Sequence, residues 1–214
     1  MNKNYSIIKF NDGEVSEQTG LHVLGVGSSM RKESYGTETL RIILSKVNQN
    51  GGKAKLLNLF DNPLPIYSPE TDNDNPFIKE ATKMVNWADA FIFATPDYHG
   101  SMAGSLKNFM DYFWSEFAGR TFGYLCSSHE KGLTVMDQMR TAIRQCYGWS
   151  LPYGISINSS TDFNEKRQLI NKQLIKRLDS YARDLVVYGT LINRQFKKDL
   201  NSAIENSYAV HYRK

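Results

Sequence analysis

The segment that joins Gly27 to Thr37 carries an unusual number of hydroxyl groups together with one arginine. Small residues leave backbone N–H groups accessible, hydroxyls are further donors, and the start of a following helix adds partial positive charge. The Arg31 guanidinium adds a full charge. These residue types predict an anion site, and the residues expected to bind a phosphate are Ser29, Arg31, Ser34, Tyr35, Gly36 and Thr37.

Helix capping is the alternative interpretation of this segment, because Ser34 and Thr37 are residue types that cap helices. Capping accounts for one hydroxyl, but it does not account for the whole set together with Arg31. The G-x-G-x-x-G fingerprint fails here because Met30 stands where the last small residue belongs, and no Gly-Lys-Ser/Thr follows as in a Walker loop. A monophosphate therefore suits the segment better than a pyrophosphate.

A second segment, residues 95–111, contains a proline, a tyrosine and a glycine at alternate positions. Pro96 restricts the turn, and Gly100 lets the backbone approach a flat ring closely. Tyr98 and His99 are expected to line the edge of that ring, and an ordinary surface turn is the alternative for both. The residues expected to contact the ring are Pro96, Asp97, Tyr98, His99, Gly100 and Ser101.

Both segments match motifs of one protein family. A Ser-x-Arg-x-x-Ser phosphate loop is matched by Ser29, Arg31 and Ser34. A Pro-x-Tyr-x-Gly-Ser…Leu-Lys-Asn…Asp pattern is matched by Pro96, Tyr98, Gly100, Ser101, Leu106, Lys107, Asn108 and Asp111. Over roughly residues 21–188, the sequence therefore resembles the NADPH-dependent FMN reductase family of flavodoxin-like proteins.

The resemblance implies non-covalently bound FMN, with NADPH or NADH as the electron donor. It implies a small-molecule acceptor such as a quinone, an azo compound, a metal oxyanion or a flavin. Hydride then passes directly from nicotinamide to flavin, so no side chain is assigned as a catalytic acid or base. The alternative function is a flavodoxin-like electron carrier or a flavin-binding regulatory module. The net charge of +4 disfavours the carrier, because flavodoxin carriers are usually acidic.

A third candidate segment follows the fourth predicted strand, and it departs from the family pattern. Relatives often carry a glycine-rich stretch there, whereas this chain has Ser-Ser-His-Glu-Lys-Gly at residues 127–132. A Lys131 ammonium near the flavin would stabilise the negative charge of the reduced ring. Solvent exposure of His129 and Lys131 is the alternative. The residues expected to contact the flavin are Ser127, Ser128, Lys131 and Gly132.

The elements that must position these segments alternate between strands and helices. Strands are predicted at residues 21–27, 55–60, 90–95, 121–127 and 150–157, and helices at residues 39–47, 77–87, 103–114, 133–145 and 165–188. This alternation predicts an α/β fold, a flavodoxin-like doubly wound five-stranded parallel sheet with helices on both faces. Ligands of such sheets bind at the carboxyl ends of the strands, where the three segments lie. The predicted domain spans residues 21–190, between an N-terminal extension (1–20) and a C-terminal tail (191–214).

Composition restricts the other function classes. A chain of 214 residues with 41% hydrophobic and 22% charged residues is typical of one globular domain. The basic residues are scattered, which argues against nucleic-acid binding. No apolar run is long enough to span a membrane or to act as a signal peptide, so we expect a cytoplasmic protein. Cys126 and Cys146 lack metal-ligand spacing and are expected to be reduced, packed thiols.

Aromatic residues are concentrated in and just after the helix that follows the second segment. Phe109 and Phe113 lie four positions apart and are expected to pack on the sheet. Tyr112 and Trp114 point away from that line and are the candidates for a subunit interface. We therefore expect a homodimer or homotetramer, which the family resemblance also implies.

Overall fold

The computed structural model describes residues 20–70 and 74–213, so the predicted N-terminal extension lies almost entirely outside the described residues. Strands and helices alternate along the chain as predicted. The first three strands are β1 (His22–Gly27), β2 (Lys53–Asn58) and β3 (Ala90–Tyr98), with helices α1 (Tyr35–Gln49) and α2 (Pro76–Trp87) between them. They are followed by β4 (Ser101–Met102), α3 (Gly104–Asp111), β5 (Thr121–Ser127) and α4 (Leu133–Gln145).

The main sheet is parallel, and its strand order runs β2-β1-β3-β5. Val23 in β1 pairs with Ala54 of β2 on one side and with Ala90 of β3 on the other. The chain therefore winds outward from β1 to one edge and then crosses to the opposite side. The order of connection reverses between the neighbouring strands β1 and β3, and doubly wound sheets bind ligands at the carboxyl ends of the strands at this switch point. The predicted flavodoxin-like α/β fold is confirmed.

The predicted fifth strand, residues 150–157, is divided into two short strands along the same edge of β5. These are β6 (Trp149–Ser150), which pairs with the start of β5, and β7 (Ile155–Ile157), which pairs with its end. Pro152 lies between them and has no N–H to donate to the ladder. Strand β4 folds back antiparallel on the end of β3, an addition that was not predicted.

The last helix begins later than predicted. A one-turn helix, α5 (Ser159–Asp162), leads into a hairpin at residues 163–171, and the long helix α6 runs over Lys172–Leu200. The Asn171 side chain caps α6 by accepting the N–H groups of the first helical turn. The prediction of a helix from residue 165 was therefore wrong, because a cap inside the run of helix-forming residues starts the helix there.

The same helix also ends later than predicted, at Leu200 rather than Tyr188. Gly189 lies inside the helix, and packing requires a glycine there, because a Cβ at that position would stand 2.7 Å from the Leu21 side chain. The chain then turns back, and Tyr208 stacks on Phe196 with ring centroids 5.6 Å apart. The described residues of the predicted C-terminal tail thus pack on their own chain.

Helices cover both faces of the sheet, as predicted. One face packs Val23 and Ile92 against α1 and α6. The other face packs Phe93 and Phe122 against α2, α3 and α4. The four residues are fully buried. Both surfaces of the central strands are therefore closed, which leaves the strand ends as the place for a ligand.

The aromatic residues after β4 divide differently from the prediction. Phe109 and Phe113 are buried in the core, as predicted. Tyr112 is half-buried, and its hydroxyl donates to the Pro65 carbonyl at 3.0 Å, so its side chain contacts its own chain. Trp114 is 65% exposed, so it remains a candidate for a contact between subunits. Within residues 20–70 and 74–213, no helix combines the length and apolar character needed to cross a bilayer.

Candidate functional site

A cleft of about 580 Å³ lies at the carboxyl ends of β1, β3 and β5. The three segments singled out in the sequence converge on it. Eleven of the predicted binding residues line it: Ser29, Arg31, Ser34, Tyr35, Pro96, Asp97, Tyr98, Gly100, Ser127, Ser128 and Gly132. The other five predicted residues, Gly36, Thr37, His99, Ser101 and Lys131, are not among its lining residues.

The loop after β1 combines helix capping with unused donors. The Ser34 hydroxyl accepts the Thr37 N–H at 3.2 Å, so Ser34 caps α1 as the alternative interpretation held. Thr37 is buried, and its side chain lies where a Cβ at Gly27 would touch it. The N–H groups of Tyr35 and Gly36 belong to the first helical turn and have no partner within the helix. Capping therefore occupies one hydroxyl and leaves backbone donors for an anion.

Arg31 supplies the positive charge of this loop. Its side chain is exposed at the cleft, and no carboxylate of the described residues forms an ion pair with it. Its backbone N–H donates to the Ser29 hydroxyl at 3.3 Å, which places both residues on one turn. An unpaired guanidinium beside a helix N-terminus suits a phosphate monoester, which accepts several charge-assisted hydrogen bonds. The donor set of this loop therefore fits the phosphate of FMN.

The loop after β3 is held by its own aspartate. The Asp97 carboxylate accepts the Gly100 N–H at 2.9 Å and the Ser128 hydroxyl at 2.7 Å. Asp97 thus fixes the turn and ties it to the loop after β5. His99 and Gly100 both have left-handed backbone, with φ of 56° and 74°. Such a turn favours glycine at Gly100, where a Cβ would meet nothing closer than 3.9 Å.

Two residues of this loop point to different neighbours. Tyr98 is 43% exposed and lines the cleft, so its ring faces the space that a flat ligand would occupy. Ser101 instead donates its hydroxyl to Gln138 on α4 at 2.9 Å. The Gly100 carbonyl accepts hydrogen bonds from Thr134 and Gln138 as well. Helix α4 therefore anchors the turn through Thr134 and Gln138.

The loop after β5 is tightly packed beneath the cleft. Gly132 has left-handed backbone, and a Cβ there would lie 2.4 Å from the Cys126 sulfur. Burial, with the nearby Asp97 charge, raises the pKa of the Cys126 thiol to about 12. Cys126 and Cys146 are free thiols, as predicted, and Cys126 is buried. Position 132 therefore requires glycine, both because a Cβ would clash and because the backbone is left-handed. Lys131 is exposed and is not among the residues that line the cleft.

Sequence reasoning missed seven cleft residues: Glu33, His129, Glu130, Leu133, Thr134, Ser159 and Arg167. Most are neighbours of predicted residues and follow from the same loops. Arg167 is different, because it comes from the hairpin before α6, where a helix was predicted. No local signal marks it, since its place in the cleft depends on the fold. Among residues 20–70 and 74–213, no group of His, Cys, Asp and Glu is arranged to hold a metal.

Comparison with known proteins gives matches over the same region. The family model described as NADPH-dependent FMN reductase matches residues 21–162. An NADPH azoreductase of Bacillus sp. (strain OY1-2) is 24% identical over 65% of this chain and 83% of its own length. An NAD(P)H-dependent FMN reductase of Pseudomonas aeruginosa is 32% identical over 43% of this chain and 49% of its own. The chain thus matches about half the length of this second relative.

Solved structures show the same fold at low identity. An NADH:FMN oxidoreductase in its apo form superposes with a TM-score of 0.66 at 18% identity, covering 78% of this chain and 89% of that chain. The NAD(P)H:(acceptor) oxidoreductase of Paracoccus denitrificans superposes with a TM-score of 0.65 at 15% identity, covering 80% and 98%. These similarities extend over most of each chain and concern the fold alone.

Proposed function

Because the chain belongs to the NADPH-dependent FMN reductase family, we propose that it is an oxidoreductase with FMN held non-covalently in the cleft. It takes a hydride from NADPH or NADH and passes electrons to a small acceptor. The acceptor class is a quinone, an azo compound, a metal oxyanion or a flavin. FMN supplies the chemistry, because its ring accepts a hydride and returns electrons to the acceptor.

The observation that carries this proposal is the donor set of the loop after β1. The unpaired Arg31 guanidinium and the first-turn N–H groups of α1 lie at the β1–β3 switch point. That is the position at which this strand order binds FMN. A hydroxyl-rich loop with one free arginine gives a single phosphate its charge-assisted hydrogen bonds.

The protein contributes positioning at the ring end of the cleft. Asp97 holds the turn by its bonds to Gly100 and Ser128, and α4 holds the Gly100 carbonyl. Tyr98 lies on the open side of this rigid turn. A fixed platform lowers the cost of aligning two flat rings, and alignment is the main requirement of hydride transfer. No side chain of the chain is assigned as a proton donor.

Flavin titration with a turnover screen tests the proposal. We expect the purified protein to bind FMN more tightly than riboflavin, because riboflavin lacks the phosphate that Arg31 would hold. We also expect NADPH or NADH oxidation with 1,4-benzoquinone or an azo dye, measured by the loss of nicotinamide absorbance. Tight FMN binding without oxidation of either nicotinamide would favour the electron-carrier alternative. Equal affinity for FMN and riboflavin would contradict the phosphate site.

A further inference from the structure

Arg167 occupies an unusual place in the cleft. It stands at the tip of the hairpin at residues 163–171, and its backbone is left-handed, with φ of 61°. An arginine rarely adopts this conformation, which glycine and asparagine adopt at lower cost. The backbone of the hairpin does not require an arginine. The arginine side chain, rather than the backbone conformation, is therefore what residue 167 contributes to the cleft.

The Arg167 guanidinium reaches across to the loop after β1, 134 positions away in the sequence. Its Nη2 donates to the Glu33 carbonyl at 3.0 Å, and its Nη1 lies 4.0 Å from the Glu33 carboxylate. Its planar group also lies over the Tyr35 ring, 4.0 Å from the centroid. The same ring contacts Phe163, with centroids 4.6 Å apart. Residues on both sides of Ser34 are thus held by this one hairpin.

The hairpin itself is held without the Arg167 side chain. Asn164 accepts the Gln168 N–H at 2.9 Å through its own side chain, and the backbones of the same two residues are joined at 3.0 Å. The buried Asp162 carboxylate accepts the Asn158 N–H and the Asn171 amide, each at 2.7 Å. The turn before α6 is therefore a preformed support, and it touches the loop after β1 through Arg167 and Phe163, of which Arg167 alone carries a charge.

We propose that Arg167 is a positioning residue for the flavin phosphate: it clamps Glu33 and Tyr35 so that the capped start of α1 and Arg31 are held ready for the phosphate. The inference rests on the proposed function. Arg31 keeps a guanidinium without a carboxylate partner among the described residues, whereas the Arg167 guanidinium is already engaged by protein groups. Arg31 thus contacts the ligand, and Arg167 fixes the loop that carries Arg31. A preformed loop binds more tightly because less freedom is lost on binding.

Arg177 offers a matched control. Its guanidinium lies over the Tyr153 ring at 5.1 Å, and it donates to the Gly154 carbonyl at 3.1 Å. These contacts repeat two of the three that Arg167 makes, the bond to a carbonyl and the stacking on a tyrosine ring, but none of Arg177, Tyr153 and Gly154 lines the cleft. Replacement of Arg177 therefore removes an equivalent local interaction away from the proposed phosphate site.

The experiment compares the dissociation constants of FMN and riboflavin for the wild type, Arg167→Gln and Arg177→Gln by quenching of flavin fluorescence. We expect Arg167→Gln to weaken FMN binding by about tenfold or more, with riboflavin binding and the Tm of the apoprotein nearly unchanged. Arg177→Gln should leave both affinities as in the wild type. Arg167→Gly relieves the left-handed backbone and should give the same loss of FMN affinity in a chain that keeps the hairpin.

A lysine variant separates positioning from direct charge contact. Arg167→Lys keeps the charge but loses the planar group that lies on Tyr35 and the fork that reaches Glu33. We expect it to bind FMN as weakly as Arg167→Gln does. Full rescue by lysine, or unchanged FMN affinity in all Arg167 variants, would overturn the clamp while leaving the proposed function intact. A wild type that binds neither flavin would remove the proposed function and the clamp together.

Discussion

At the scale of single residues, the side chains of the cleft are of two kinds. Some form hydrogen bonds to other groups of the protein, and others are free to bind a ligand. Asp97, Ser34 and Ser128 each have a hydrogen-bond partner within the chain. The Arg31 guanidinium forms no ion pair with a carboxylate among the residues that the structure describes. A charged group left unpaired at the mouth of a cleft interacts most strongly with an incoming ion, because no internal partner has to be displaced.

We expect Arg31→Ala to weaken FMN binding, because it removes the full charge of the phosphate loop. A hydrogen bond to a charged group contributes about 1.5–3 kcal/mol, which corresponds to a loss of roughly 10- to 150-fold in affinity. Flavin fluorescence titration measures the effect, and the variant should be purified nearly colourless. Lys32→Ala is the matched control, since Lys32 is exposed and outside the cleft lining. Unchanged FMN affinity in Arg31→Ala would show that the phosphate lies elsewhere.

At the scale of elements, the end of α6 is held against the segment before β5 by aromatic packing. Phe196 is buried against Ala118 and Ala209. Gly119 has φ of 69°, and a Cβ there would overlap the Phe196 ring at 2.2 Å. The glycine therefore allows the last turns of the helix to lie close to the segment before β5.

We expect Gly119→Ala to lower the free energy of unfolding, because the added methyl group displaces Phe196 and strains the backbone. Overpacking of this kind costs on the order of 1–3 kcal/mol. Urea unfolding measures the loss, and limited proteolysis should cleave the chain after residue 190 more readily. Gly51→Ala is the control: its φ is 85°, but no atom lies within 4 Å of the added Cβ. Equal losses in the two variants would mean that the helix end is not held by this contact.

At the scale of the whole molecule, one carboxylate joins four distant segments at the end of the sheet opposite the cleft. Asp89 contacts Arg120 at 3.3 Å and Lys197 at 3.0 Å, and it accepts the His22 backbone N–H at 3.2 Å. Burial alone would raise the pKa of Asp89. The hydrogen bonds from Lys197 and His22, with the charges of Lys197 and Arg120, outweigh burial and hold that pKa below its ordinary value.

This shift predicts how stability depends on acid. A depressed pKa in the folded state contributes stability above the unfolded pKa of about 3.9, and that contribution is lost as the pH falls through the folded value. We expect Asp89→Asn to lower the free energy of unfolding at pH 7 by about 1–3 kcal/mol, since Arg120 loses its charge partner. Measured by urea unfolding from pH 7 to 3, the free energy of unfolding of the variant should fall less steeply with decreasing pH than that of the wild type. An identical pH profile in both proteins would contradict this role of Asp89.

The oligomeric state is a second prediction at this scale. Trp114 is 65% exposed just after α3, and large exposed aromatic side chains are typical of interfaces. We expect light scattering of the FMN-bound protein to give a multiple of the 24.4 kDa chain mass, and Trp114→Ser to shift it toward one chain. Ile204→Ser, at another exposed apolar position after α6, is the control. A wild-type monomer at micromolar concentration with full activity would contradict the prediction.

The amino-acid sequence by itself determined the alternation of elements and the three loops of the cleft. Continuous apolar runs indicate buried parallel strands, and the spacing of apolar residues indicates the helices between them. Both signals are local, so β3, β5 and α4 were predicted close to their observed bounds. The loops after β1 and β3 that line the cleft were also singled out locally, because small residues, hydroxyls and one arginine occur within short stretches.

Only the tertiary structure decided which side chains share the cleft and where the last helix ends. The helix-forming residues before α6 suggest a longer helix, but Asn171 caps it, and the hairpin before the cap carries Arg167 into the cleft. Gly189 is a usual signal for a helix end, yet α6 continues through it, and the glycine is needed there because Leu21 leaves no room for a side chain. Contacts between residues far apart in sequence place Arg167 in the cleft and Gly189 against Leu21, and no local pattern contains them.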